Sequence, residues 1–270
     1  MIYKTYITIL FASILLLSFT SCEEIIDIDL NSSNPSIVID GDIQPKQNAQ
    51  VRLSYTNDYF NKENPKYETN ATITISNSEG ISETLQHISD GLYTSQFMRG
   101  DVGQEYTIKV DLNNETFEGK STMMTPTKIL KLSQVKSGTP HQGDKESYGL
   151  EMQLTNNPEE DNYYLIKFFK NGALQEERYN AIPQDIFAQD EVIVYSPVLP
   201  SFEVGDEVIV KAYSIDESTY TYYSQLAEIT SERPGGTTPY NPESNLGPNI
   251  LGYFRAWSSD SQSITIQTME

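Results

Sequence analysis

The residue with the clearest chemistry in this 270-residue sequence is Cys22, the only cysteine. It directly follows Ser21, close behind the apolar segment Ile7–Leu17. That segment has the length of a secretory signal core and is shorter than the roughly 20 apolar residues that span a bilayer. A cysteine after a small residue at this place is typical of a lipobox, in which the thiol is acylated and cleavage exposes the cysteine as the new N-terminus. We therefore predict that Met1–Ser21 is an export signal and that acylated Cys22 anchors the protein in lipid.

The remaining reactive side chains form no recognisable catalytic pattern. Acylation of Cys22 leaves the mature chain without a thiol for a disulfide, a nucleophile or a zinc site. The two histidines, His87 and His141, lie near no serine or acid cluster of known form, and no Gly-x-Ser-x-Gly motif occurs. We predict a protein that is not an enzyme and that holds no cofactor. A glycosidase with paired carboxylates stays open as an alternative, because acidic residues are plentiful.

Two groups of side chains are candidates for binding. Most aromatic residues in the last third of the sequence are interpreted as core, and Tyr222 and Trp257 are the candidates to face outward, where they would offer a platform for sugars or peptides. Asn156, Glu159 and Asp161 place oxygen ligands in one loop that could hold calcium. That loop lacks the spacing and the central glycine of an EF-hand, so a solvated turn is the favoured interpretation and no metal is predicted.

Charge excludes one class of partner. The sequence contains 18 Lys and Arg against 38 Asp and Glu, for a net charge of −20. Nucleic acids and anionic lipid surfaces bind cationic patches, so neither is expected to hold this protein by charge.

The elements that must position these residues are predicted to be mainly strands, because short alternating runs bounded by turn residues recur along the chain. The continuous apolar run Tyr163–Phe169 predicts a strand that is buried on both faces or central in its sheet. Asp216 as an N-cap, followed by helical spacing of apolar residues, predicts one helix over Ser218–Ser231. The predicted fold is mainly β, with two antiparallel β-sandwich units of immunoglobulin-like or transthyretin-like type and one short helix near the C-terminus. The units span residues 36–127 and 128–270, after a tether of residues 22–35. Further strands are predicted at Ser36–Gly41, Ala49–Tyr55, Ala71–Ser76, Val102–Val110, Phe117–Thr122, Leu150–Leu154 and Glu207–Tyr213.

Several segments also resemble a known family. They are PSIVIDGDI at residues 35–43, GLYTS at 91–95, GQEYTIKV at 103–110 and NPESNLGPNILGYFRAWS at 241–258. With the lipobox, they resemble the outer-membrane lipoproteins of Bacteroidota grouped as domain of unknown function 4249. No catalytic residues carry over, and the Asn, Gly, Tyr and Phe positions of the last segment are interpreted as structural, a tight loop and an aromatic lock on the sandwich.

The resemblance implies a partner, a TonB-dependent outer-membrane receptor, and a placement in the outer membrane. Glu23 and Glu24 behind the cysteine resemble the signal for the cell-surface face, with the periplasmic face as the alternative. The functional hypothesis is a surface-anchored, non-enzymatic binding lipoprotein that captures or gates an unidentified ligand for a transporter. A structural or adhesive surface lipoprotein and a glycan-active enzyme are the alternatives.

Overall fold

The computed structural model describes residues 35–57, 65–136, 146–175, 180–183, 192–195, 200–230, 240–248 and 250–269. The export signal, Cys22, the acidic tether before Pro35 and His141 lie outside these residues, so the predictions made for them stay predictions. Within the described ranges the protein is built from strands and a single helix, and the mainly β prediction is confirmed. None of the described helical residues forms a segment long and apolar enough to cross a bilayer.

The first sandwich consists of β1 (Ile37–Ile43), β2 (Asn48–Tyr55), β3 (Thr72–Asn77), β4 (Ser82–Thr84), β5 (Gln86–Ser89), β6 (Leu92–Arg99), β7 (Glu105–Leu112), β8 (Glu115–Thr122) and β16 (Leu251–Ala256). One sheet has the strand order β16-β1-β2-β6-β5, and it faces a sheet with the order β4-β3-β7-β8. Alternation sends one face of each strand into a shared core that includes Ile39, Leu53, Ile75 and Ile108, all fully buried. Five of these strands, β1, β2, β3, β7 and β8, agree with the sequence predictions to within a few residues.

The strand β16 comes from the far end of the chain and pairs in parallel with β1, so that Ile39 lies opposite Gly252. Phe254 and Ala256 of β16 are buried in the first core. The division of the sequence at residue 127 does not anticipate this, because it assigns residues 251–256 to the second unit. The first sandwich therefore includes a C-terminal strand, and its sheet is not antiparallel throughout.

The loop before β16 holds that strand in place. The side-chain amide of Asn245 accepts from the backbone N–H of Phe254 (3.0 Å) and donates to its carbonyl oxygen (2.7 Å), as a neighbouring strand would. The same amide also donates to the carbonyl of Lys120 on β8 (2.7 Å). Leu246 enters the first core. The structural interpretation of the segment at 241–258 is confirmed.

The second sandwich consists of β9 (Ile129–Lys136), β10 (Tyr148–Thr155), β11 (Tyr163–Lys170), β12 (Ala173–Leu174), β13 (Asn180–Ile182), β14 (Val192–Tyr195), β15 (Glu207–Ile215) and β17 (Ser258–Thr265). A sheet with the strand order β14-β10-β9 faces a sheet with the order β12-β11-β15-β17, in which β13 also pairs with β11. Tyr164, Ile166 and Phe168 of β11 point into the core between the sheets, and Leu165 points to the opposite, also buried, face. Of the two alternatives for this run, burial on both faces is confirmed.

The helix α1 (Glu217–Thr230) covers the outer face of this second sheet. Asp216 caps it, because its Oδ1 accepts the backbone N–H of Thr219 (2.8 Å), as the sequence predicted. Tyr223 of the helix packs with Leu165, Tyr213 and other residues in a third buried cluster. The outer face of this sheet, which would otherwise meet solvent, is thus buried in an aromatic core beneath the helix.

The stability of the fold is expected to depend on pH through the carboxylate of Asp206. Its carboxylate accepts from Lys170 Nζ (2.8 Å), Asn171 Nδ2 (3.0 Å) and the N–H of Glu203 (2.8 Å). Burial acts to raise the pKa of Asp206, but these donors more than offset it and hold the pKa below its usual value. Because the folded-state pKa lies below the unfolded one, the stabilisation is complete above the unfolded pKa of about 3.9 and is lost as pH falls through the folded-state pKa.

Asp206→Asn is therefore expected to lower the free energy of unfolding by about 1–3 kcal/mol at pH 7, since it removes hydrogen bonds to a charged group. The difference from wild type should shrink as the pH falls below about 4. Urea unfolding at pH 7, 5 and 3 measures it. Glu118→Gln is the control, because it removes one negative charge from an exposed position on β8. An equal loss in both variants, or a difference that does not change with pH, would contradict the assignment.

Candidate functional site

A cleft of about 380 Å³ opens where the first sheet meets the helix-covered face of the second sandwich. Strands β1, β2 and β16 contribute one side, and β11, β12 and α1 contribute the other. Residues lining it include Asp40, Arg52, Lys167, Tyr222 and Arg255. The cleft thus depends on the return of the C-terminal strand to the first sandwich.

Trp257 lies behind this cleft and does not face solvent. Its side chain is 4% exposed and stacks on Tyr213 at 4.3 Å and on Tyr223 at 6.3 Å between ring centroids. Its indole N–H donates to Asp42 Oδ2 at 3.2 Å. Trp257, a candidate to face outward, is core instead, because the residue that follows β16 lies in the aromatic core beneath α1.

Tyr222 reaches the cleft. It is half-buried, with its ring 4.5 Å from that of Tyr253 and edge-on to that of Tyr223 at 5.5 Å. The structure thus places one of the two predicted aromatic residues on the cleft wall and the other in the packing that supports it. The ligand-binding role of both stays a prediction.

A lysine within the aromatic core gives the cleft positive charge. Lys167 Nζ lies 4.8 Å from the ring centroid of Trp257, 5.5 Å from that of Tyr213 and 5.6 Å from that of Tyr223. The negative faces of aromatic rings attract such a cation, more strongly where water is partly excluded. The ammonium group is therefore held in position while it lines the cleft.

Arg255 is the second fixed cation. Its side chain is 14% exposed, its Nη1 donates to Asp40 Oδ1 at 2.6 Å, and its guanidinium lies 4.8 Å from the Trp257 ring centroid. Burial acts to lower the pKa of Arg255, and the negative charge of Tyr223, Asp40 and Asp42 at high pH more than offsets this, so its pKa lies above the usual value. The guanidinium therefore stays charged. Its buried Nε–H has no hydrogen-bond partner among the described residues.

The loop of Asn156, Glu159 and Asp161, interpreted from the sequence as a turn, has the geometry of a turn closed by its own amides. Asn156 Oδ1 accepts the hydroxyl of Tyr164 (2.7 Å), and Asn157 Oδ1 accepts the N–H of Glu159 (3.1 Å). The side chain of Asn162 donates to the carbonyl of Glu160 (2.8 Å). Within the described ranges, which include Glu159 and Asp161, no group of three or more His, Cys, Asp or Glu side chains is arranged to hold a metal ion.

The cations of the cleft were not among the predicted site residues, although the sequence carries a signal for two of them. Lys167 interrupts the apolar run YYLIKFF, and Arg255 interrupts GYFRAW. A single cation inside an apolar strand needs a partner or a function, since burial of an unpaired charge is unfavourable. Arg52 on β2 carries no such signal, because it occupies an ordinary outward position of an alternating strand.

Comparison with known proteins places these features in a family. The family model described as Domain of unknown function (DUF4249) matches residues 23–263 of the chain. The chain belongs to the DUF4249 family. The match includes the helix and every residue of the cleft discussed above, so the cleft lies wholly within the DUF4249 domain. No curated protein matches the sequence.

Among solved structures, the DUF4249 domain is similar to the chicken CNTN1 FN1–FN3 domains, at 8% sequence identity and a TM-score of 0.25. The match covers 87% of this chain and 66% of that one. A likeness of this degree carries no functional argument.

Proposed function

We propose that this DUF4249 protein is a surface-anchored, non-enzymatic binding lipoprotein that presents a ligand held in its cleft to a TonB-dependent outer-membrane receptor of a Bacteroidota cell. The observation that supports a binding role is the cleft itself, about 380 Å³ in volume and walled by aliphatic, aromatic and charged side chains. Small-molecule sites typically have this size and this mixture of apolar walls with a few placed polar groups.

The architecture around the cleft supports binding by a preformed site. Regular strands and α1 supply its walls, and Lys167 and Arg255 are held by aromatic rings and by Asp40. A site on rigid elements loses little conformational freedom when a ligand binds. The lipid anchor at Cys22 and the receptor partnership enter this proposal from the sequence and its family resemblance.

Affinity purification of the tagged, lipidated full-length protein from its own outer membrane tests the proposal. We expect a TonB-dependent receptor in the retained material at comparable abundance, identified by mass spectrometry. Recovery of the lipoprotein without any β-barrel receptor would contradict the partnership and favour an independent adhesive protein.

Cys22→Ser is the matched variant for the anchor. We expect it to lose labelling by radioactive palmitate and to disappear from the outer-membrane fraction, because serine offers no thiol for acylation and the folded sandwiches have no acyl chains to hold them in lipid. Ser21→Ala is the control, since it keeps both a small residue before the cysteine and the thiol. Palmitate labelling of Cys22→Ser at the wild-type level would contradict lipidation at this residue.

A further inference from the structure

We infer that the cleft takes a small organic anion, a molecule with a carboxylate, sulfonate or phosphate group on an apolar body. This inference rests on the proposed function of the cleft as the ligand site. It names the chemical class of the ligand, which the family and the sequence leave open.

The charge of the cleft is opposite to that of the chain. Among the residues that the structure describes, the charged ones that line it are three cations, Arg52, Lys167 and Arg255, and one anion, Asp40. The whole sequence has about twice as many acidic as basic residues and a net charge of −20. Asp42 lies close enough to Arg255 to influence it, but its carboxylate accepts the indole N–H of Trp257 and does not line the cleft. A cationic cleft with low-dielectric walls concentrates anions, even on an acidic protein.

The position of Lys167 adds a second, independent observation. On β11 it lies directly opposite Lys211 of β15. Like charges directly opposite each other on neighbouring strands are destabilising. The sheet keeps two lysines there, with Lys167 held over three aromatic rings and Lys211 Nζ 5.2 Å from the ring centroid of Phe169. Local violations of a stabilising rule concentrate at functional sites.

Arg255 also has interaction capacity that the protein does not use. Among the described residues it forms an ion pair with Asp40, whose side chain is 56% exposed, and its buried Nε–H has no hydrogen-bond partner there. A buried donor without a partner is unfavourable and is rare in native proteins. A bound anion would supply negative charge next to a guanidinium that Asp40 only partly compensates.

The remaining walls define the apolar body. Val38, Leu174 and Leu226 line the cleft together with the half-buried ring of Tyr222. An inorganic anion would leave these surfaces in water, whereas an aromatic or aliphatic acid would cover them. The combination therefore selects an organic acid over free phosphate or sulfate.

A pair of dyes that share one apolar skeleton tests the inference on the full-length protein. Anilinonaphthalene sulfonate is an anion, and N-phenylnaphthylamine is its neutral parent. Trp257 is the only tryptophan, and it lies directly behind the cleft, so quenching of its emission by energy transfer reports binding there. We expect the sulfonate to bind at least about tenfold more tightly than the neutral dye.

Charge-removing variants show which residues recognise the anion. Lys167→Met should lower the affinity for the sulfonate dye by about tenfold. It should change the affinity for the neutral dye by no more than about twofold. Arg52→Met should also lower the affinity for the sulfonate dye more than that for the neutral dye. Because Arg52 is only half-buried, we do not expect its replacement to disturb the core. Lys109→Met is the control, since it removes a cation of β7 that does not line the cleft.

Equal affinity for the two dyes, absence of quenching by the sulfonate, or equal effects of Lys167→Met on both dyes would each overturn the inference. The receptor purification separates this failure from failure of the proposed function. A retained receptor without anion preference refutes only the ligand class, whereas anion binding without any receptor refutes only the partnership.

Discussion

Gly252→Ala is expected to lower the free energy of unfolding by more than about 3 kcal/mol, or to prevent folding. Gly252 has a φ of +93°, which alanine adopts at a penalty of about 1–2 kcal/mol. The larger part arises from contact, because a Cβ at this position would lie 2.0 Å from the carbonyl oxygen and 2.7 Å from the carbonyl carbon of Ile39. Both atoms belong to the backbone of β1, so relief requires displacement of the pairing between β1 and β16.

Gly103→Ala is the matched control for this prediction. Its φ of +84° is similar, but an added Cβ would meet nothing within 4 Å. It should therefore show only the conformational penalty of about 1–2 kcal/mol. Chemical denaturation followed by circular dichroism compares the two variants. A loss at Gly252 no larger than that at Gly103 would show that the close approach of β16 to β1 does not contribute.

Asp216→Ala is expected to lower the free energy of unfolding by about 3 kcal/mol, about 1 from the helix cap and the remainder from hydrogen bonds to a charged group. Its Oδ1 accepts from Thr219 N (2.8 Å) and Ser218 Oγ (3.0 Å) at the start of α1. Its Oδ2 accepts from Ser121 Oγ (2.6 Å) and Thr122 N (2.8 Å) on β8. One carboxylate thus joins the helix of the second sandwich to a strand of the first.

Asp216→Asn separates the two contributions. Asparagine caps a helix as well as aspartate does, so the bond from Thr219 should persist. Its amide nitrogen would face the two donors on β8, and those bonds should be lost. We expect a loss for Asp216→Asn between wild type and Asp216→Ala, measured by urea unfolding with circular dichroism at 222 nm. Wild-type stability of Asp216→Asn would show that the bonds to β8 contribute nothing.

Both variants act on the walls of the cleft as well as on stability. Gly252 lines the cleft itself, and Asp216 holds the first turn of the helix that carries Tyr222. Any variant that folds in part is therefore expected to bind the sulfonate dye less tightly, without the selectivity between dyes that Lys167→Met should show.

Local structure was predictable where short-range chemistry decides it. Alternation of apolar and polar residues defined β1, β2, β3, β7 and β8, because side chains on a strand point to opposite faces in turn. The N-cap at Asp216 and the spacing after it defined α1 for the same kind of reason, since both depend on neighbours within four residues.

The candidate site was predictable only in part. Tyr222 was a candidate for a binding surface and lines the cleft, whereas Trp257 was also a candidate and is buried behind it. An aromatic residue near a strand end has the same local pattern whether it faces solvent or a second layer of packing. The difference arises from α1, which covers the outer face of β11 and β15 and is distant from Trp257 in sequence.

The sequence by itself determined the strand periodicity, the helix, the acidic balance and the lone cysteine behind its apolar segment, since each depends on composition or on neighbours along the chain. Tertiary structure alone decided that β16 joins β1 across more than 200 residues, and that Arg52, Lys167 and Arg255 meet around one cleft. Alternation shows which residues share a face of a strand, but it is the same for every possible partner strand. The partner is selected by backbone hydrogen bonds and by the core that the two strands bury together.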